Sequence, residues 1–214
     1  MKRLILCTIP FAALAMLAGC SDHKRDLNGA NMTRAMNDYL AKRGDLCLAK
    51  NSWPVFVTEQ ESKAGSRNAL QMPVLEHLGL VTGSDAKVEQ DNKDGEKEKV
   101  HARRYALTSE GQKYYLARAP HKRPTGNRFA DADHDFCAAR LSLDKVVGWE
   151  APAQGVKDQT VVSYTYKIDP APWTADQAAR AVFPMVDMLI RGAGTLQLKE
   201  TMVLGANGWE ARDL

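Results

Sequence analysis

The opening residues set the compartment in which the rest of the chain must fold. Lys2 and Arg3 precede a largely apolar stretch from Leu4 to Leu17. About 14 such residues are short for a helix crossing roughly 30 Å of hydrocarbon, and they suit the apolar region of an export signal. Pro10 within the stretch also argues against a long regular helix. The competing reading is a buried apolar helix. An exported chain folds where thiols are oxidised, so cysteine pairing becomes part of the fold problem. The leader also accounts for the charge. Removing Lys2 and Arg3 takes 29 basic residues to 27 against 26 acidic ones, so a pI near 8.6 says nothing about nucleic acid. With 214 residues, 44% apolar and 26% charged, the chain is neither collagenous, low-complexity nor polytopic, and one or two domains are expected.

The leader closes on Leu17-Ala18-Gly19-Cys20. This run resembles the lipobox of bacterial lipoproteins, in which the preceding peptide is removed and the cysteine thiol accepts a diacylglycerol. The resemblance implies a signal peptide over 1–19 and a lipidated tether over 20–31. It also implies that Cys20 is the membrane attachment. Several acyl chains at about 0.8 kcal/mol per buried methylene anchor durably where one chain does not. Ser21 follows the cysteine in place of the aspartate that resembles an inner-membrane retention signal, which favours the periplasmic face of the outer membrane, although Asp22 comes one place later. A plain secretory signal with Cys20 incidental is the alternative.

Four cysteines become three on processing: Cys20, Cys47 and Cys137. With Cys20 lipidated, Cys47 and Cys137 are expected to form a disulfide. Closing a loop of about 90 residues would stabilise by up to about 4–5 kcal/mol in the chain-entropy model. Two separately buried thiols are the alternative. Neither cysteine has a Cys or His at metal-ligand spacing, so no metal is expected there.

Along the mature chain, Met32, Ala35, Met36, Tyr39 and Leu40 recur at helical spacing up to Gly44. Residues 53–57 are expected to be extended, 59–70 helical with Gly65 as a weakness, and Pro73 to open a short helix ending at Gly79. Residues 85–99 mix six acids with four bases around Asn92-Lys93-Asp94-Gly95, a turn between strands. Residues 103–107 return as a strand. Thr108 then caps a helix expected to carry Tyr114, Tyr115 and Leu116.

Leu78-Gly79-Leu80, the charged hairpin, and Tyr105, Leu107, Thr108 and Gly111 resemble the second half of winged-helix domains such as MarR- and PadR-type regulators. The likeness covers about 50 residues closely and about 85 loosely, and implies a winged-helix-like domain over 32–118. It does not imply DNA binding. Pro73 interrupts the would-be reading helix, leaving Arg67 and Asn68, and the strand before the turn carries Asp85, Glu89 and Asp91, with Asp94 in the turn itself. Carboxylates there repel phosphate, and an exported chain does not meet DNA.

Residues 119–132 hold Pro, Gly and basic residues and are expected to be a linker. A second domain over 133–214 follows. A strand is expected over 136–149. Val162, Tyr164, Tyr166 and Ile168 alternate on one face of the next. Thr174 and Gln177 form a capping-box pattern for a helix to about Ile190, kinked at Pro184. Two strands follow around Gly205-Ala206-Asn207-Gly208. The expected class is α+β: a winged-helix-like half, then a small β-β-α-β-β antiparallel half.

Chemistry is sparse. Nucleophile-elbow, phosphate-loop and zinc-protease motifs are missing, and Glu61 and Glu76 have no recognisable carboxylate partner. Asp131, Asp133, His134 and Asp135 could hold a weak divalent cation, but a solvated loop is the plainer reading. Trp53, Trp149, Trp173 and Trp209 fit core positions better than a stacking surface. No cofactor and no catalytic residue is expected. The expected function is a lipid-anchored, non-catalytic adaptor that contacts an envelope protein through the hairpin, with Lys93, Lys97, Arg103 and Arg104 as contact residues. Alternatives are an envelope enzyme or small-ligand-binding protein of unrecognised type, and an immunity-type inhibitor.

Overall fold

The computed structural model describes residues 23–91, 95–118, 134–151 and 156–214. Helix α1 spans Gly29–Arg43, and the Asn28 side chain caps it by accepting from the Asn31 N–H at 2.9 Å. Strands β1 (Asp45–Cys47) and β2 (Val55–Thr58) follow. Helix α2 (Glu59–Lys63) opens with a capping box, the Thr58 N–H donating to Glu61 and the Glu61 N–H to Thr58 Oγ1. Gly65, at φ 63°, separates it from helix α3, Arg67–His77.

Pro73 does not open α3 but lies inside it. Ser66 starts the helix earlier, accepting from the Ala69 N–H at 3.2 Å, and Met72 and Leu75 on either side of the proline are fully buried. An interior proline costs about 3 kcal/mol, and burying two large apolar side chains returns about 3–6 kcal/mol. Packing wins.

The charged segment forms strands β3 (Val81–Asp91) and β4 (Lys97–Leu107). Helix α4, Ser109–Gln112, is a single turn, and Tyr115–Ala117 is strand β5 where a longer helix was expected. Pairing explains the change. Tyr115 stands opposite Phe136 on strand β6 (His134–Trp149), while Tyr114 turns its ring toward Phe136 and Trp173 at centroid distances of 6.1 and 6.4 Å.

Strand β7 spans Gln159–Pro170. The expected kinked helix is two helices, α5 (Gln177–Val182) and α6 (Pro184–Arg191), divided at Phe183. The cap of α5 is Asp176, which accepts from Ala178 and Ala179, whereas Thr174 donates to Ala171 O inside a preceding single turn. Strands β8 (Leu198–Gly205) and β9 (Gly208–Ala211) complete the chain, with Gly208 at φ 108° in their turn.

The class is α+β, with two antiparallel sheets. One has the order β1-β6-β7-β8-β9 with β5 also on β6; the other is β2-β4-β3. Two apolar cores meet along β6. Met32, Met36 and Leu40 of α1 pack on Leu141, Val162, Tyr164, Tyr166 and Met202. In the other core, Met72 and Leu75 of α3 pack with Tyr105, Phe136, Trp173 and Phe183. Phe136 and Ala138 belong to the second core and Leu141 to the first, so one strand serves both. Helix α1 therefore packs on the sheet whose longer strands follow residue 133, although its sequence position is in the first half. Trp173 and Trp209 are core residues, while Trp149 remains 38% exposed at a strand end.

Candidate functional site

Two places in the fold could engage another molecule. The first is the β3–β4 hairpin, two strands of 11 residues each. The third strand, β2, accompanies β4 only as far as the Thr58–Ala102 pair. Beyond it β3 and β4 pair with each other, from Ala86 opposite Ala102 to Asp91 opposite Lys97. Facing residues share a side of the ribbon, so its two sides can be read from the register. Val88–Val100 and Ala86–Ala102 lie on one side. On the other, Asp85 faces Arg103, Glu89 faces Lys99 and Asp91 faces Lys97. One side of the ribbon carries the Ala and Val pairs followed by the polar Gln90–Glu98 pair at its outer end, and the other carries opposite charges.

Of the expected contact residues, Lys97, Arg103 and Arg104 do not form one patch. Arg103 is occupied at the root: its Nη2 lies 2.9 Å from Glu76 Oε1 on α3, and its guanidinium stands 5.6 Å from the Tyr105 ring. The hydrogen bond and charge of Glu76 push the Arg103 pKa up. Glu76 also accepts from the Gly83 N–H at 2.9 Å, so the pair ties the hairpin to α3. Being exposed, the pair is screened by water and salt, so its role is to position the hairpin root rather than to stabilise the fold. Arg104 is half-buried between Phe56 and Ser84 in register. Lys97 is exposed, six residues and about 20 Å along the strand from Arg103. Lys93 and Cys20 lie outside the described residues.

The second place was not visible in the sequence. A groove of about 600 Å³ runs between α3, the α5–α6 junction and the chain around Cys47. Its walls include Leu46, Leu48, Leu70, Phe183 and Met185, with Arg67 and Gln71 as polar members. Leu70 is 57% and Met185 61% exposed. Gln71 is buried: its Nε2 donates to Val182 O at 2.9 Å, and its Oε1 has no partner among the described residues. The helical spacing of Arg67, Leu70 and Gln71 places them on one face of α3. That spacing was readable in advance, but the helices across from it were not.

Near the groove, Lys50 is buried with its Nζ donating to Asn68 Oδ1 at 2.8 Å. Burial lowers its pKa to about 8, with the charge of Arg67 acting in the same direction and Asp135 opposing. Asp135 Oδ1 accepts from the backbone N–H groups of Lys50 and Phe136 at 2.7 and 2.8 Å. His134 stacks on Tyr115 at 5.2 Å. These two members of the Asp131–Asp135 run thus have structural roles, and Asp131 and Asp133 lie outside the described residues. Among the described residues no group of three His, Cys, Asp or Glu is placed to hold a metal.

Cys47 and Cys137 are joined in a disulfide. Arg118 stands beside it, its Nη1 2.7 Å from Cys47 Sγ and donating to Asp45 O at 3.2 Å. A third polar cluster sits on the other core, where burial raises the pKa values of Tyr39 and Glu200. No family model, curated protein or solved structure matches the chain.

Proposed function

We propose that the chain is a lipid-anchored envelope lipoprotein, held through Cys20 on the periplasmic face of the outer membrane, that works as a non-catalytic protein-binding module. The observation that carries the binding reading is the ribbon of residues 86–102. It extends past β2, with Ala and Val pairs on one side and opposite charges on the other. Two isolated strands gain little from each other in water, and an exposed strand pair needs charge or cover to avoid random pairing. Alternating charges supply that protection on one side and leave Val88, Val100 and Phe56 for a partner on the other.

The anchoring reading rests on the leader and Cys20, and the disulfide agrees with an oxidising compartment. Among the described residues no helix is long and apolar enough to cross a membrane. We read α2, α3 and the β2-β4-β3 sheet as a winged-helix-like unit adapted to protein contact. The β6–β9 half is then a β-β-α-β-β unit with a divided helix.

Replacing residues 89–99 with an Asn-Gly turn keeps Val88 opposite Val100 and removes the outer ribbon. The variant should remain folded by circular dichroism and lose its envelope partner in co-purification from crosslinked cells. Undiminished partner recovery would overturn the hairpin as the contact surface.

A further inference from the structure

We propose that one end of the molecule, formed by residues 23–30, Trp149, Val156 and the β8–β9 turn, lies against the headgroups of the phospholipid bilayer that holds the anchor. The inference rests on the anchoring of Cys20 and adds to it the face that meets the membrane.

The chain is tied to the folded body almost from the anchor onward. His23–Arg25 form a short 3-10 turn. Arg25 Nη1 donates to Gly205 O at 2.9 Å, and Trp209 Nε1 donates to Arg25 O at 3.1 Å. Asn31 Nδ2 donates to His23 O and Asp26 O at 2.6 and 2.8 Å. The segment is seated so closely on the β8–β9 turn that a Cβ on Gly208 would come within 2.7 Å of Lys24 O. Only Ser21 and Asp22 stand between Cys20 and His23, and three residues of chain reach roughly 10 Å at most. A diacylglycerol on Cys20 therefore holds this end of the sheet at the headgroup layer.

The same end carries the surface that a bilayer accepts. The β6–β7 connection and the β8–β9 turn meet there: the Leu204 N–H donates to Asp158 O at 2.8 Å, and Gln159 faces Val203 in register. Trp149 closes β6 beside them, its indole 4.0 Å from where a Cβ on Gly29 would lie. Trp149 is 38% exposed, and Val156 on the connection is 48% exposed. Tryptophan is enriched at membrane interfaces because its ring is apolar while its N–H stays wet. Lys24, Arg25 and Lys157 are exposed around it, as are Asp26, Glu150 and Asp158. Charges of both signs match a zwitterionic headgroup layer.

The test couples the processed chain, residues 20–214, through Cys20 to phosphatidylcholine vesicles containing a maleimide-headgroup lipid. Cys47 and Cys137 are bonded to each other, so Cys20 is the thiol that reacts. Tryptophan emission is read with and without a lipid carrying a doxyl quencher near its headgroup. The native chain should dim. Trp149→Phe should lose most of that dimming, because Trp173 and Trp209 are buried and Trp53 packs against the core around Phe136. In the Trp149→Phe chain, Asn207→Trp should restore the dimming and Thr195→Trp should not. Thr195 lies at the opposite end of β7, where the Gly194 N–H donates to Tyr166 O, roughly 25 Å from the β8–β9 turn. All three positions are exposed, so the substitutions leave the core intact. A native chain that does not dim, dimming that Trp149→Phe leaves unchanged, or equal dimming of Asn207→Trp and Thr195→Trp would overturn the face; the first of these would assign Trp149 to a protein partner instead. Because the coupling is chemical, these results judge the face alone, and acylation of Cys20 in cells judges the anchor.

Discussion

Cys47 and Cys137 are register partners across the β1–β6 ladder, and their sulfurs are bonded across it. The bridge spans 90 residues of sequence and fixes β1 to the strand shared by both cores. Chain-entropy arguments put such a loop near the upper end of disulfide stabilisation, and native bridges in small exported domains are typically worth about 2–5 kcal/mol. The Cys47→Ala/Cys137→Ala variant should lose about 2–4 kcal/mol in urea unfolding, and dithiothreitol should lower the native midpoint toward the variant's. An unchanged midpoint in both experiments would contradict the role given to the bridge.

A second prediction concerns Gly111. Thr108 caps α4 by accepting from the Gly111 N–H at 3.1 Å, and it donates to Gly79 O at 2.7 Å. This brings the backbone of residue 111 against Leu80, and a Cβ at Gly111 would collide with the Leu80 carbonyl oxygen. Backbone cannot move aside as a side chain can. Gly111→Ala should destabilise by about 2 kcal/mol or more, by the mechanism of forced overpacking. Equal thermal midpoints for variant and native protein would show that the turn has room.

Part of the fold was legible locally. Thr108 was legible as a cap from its residue type alone, and it caps α4 through the Gly111 N–H. The alternation of Val162, Tyr164 and Tyr166 was legible for a similar reason: a strand with one buried face writes its period directly. Other features depend on partners distant in sequence. Nothing local to Tyr115 says that β6 will pair with it, and nothing in α1 names its covering sheet. Pro73 reads as a helix start until the burial of Met72 and Leu75 is known. The groove follows the same logic, since Gln71 became notable only once Val182 lay across from it.

Lys50 gives a pH prediction. Its folded pKa of about 8 lies below the ordinary 10.5, so the fold disfavours the charged amine. Between pH 8 and 10.5 the unfolded chain holds more protons at this site, and its contribution makes stability rise with pH. Below pH 8 the penalty is fully present. Subtracting the stability of native protein from that of Lys50→Met cancels the other titrating groups. That difference should fall by about 2 kcal/mol from pH 7 to pH 10.5. A difference that stays flat, or grows, would exclude a buried, depressed amine.

The anchor is tested through Cys20. Cells fed an alkyne-bearing palmitate should yield labelled native protein in the membrane fraction. Cys20→Ala should give unlabelled protein that leaves the membrane. Persistent membrane association of the unlabelled variant would point to a different attachment.

The most direct measurement is photocrosslinking in living cells, with a photoreactive residue at Lys97 on the outer ribbon and, as the control, at exposed Lys145 on β6. A protein-binding module acting through its hairpin predicts one dominant envelope-protein adduct from Lys97 that Lys145 does not give. Adducts from neither position, or the same mixture from both, would contradict it.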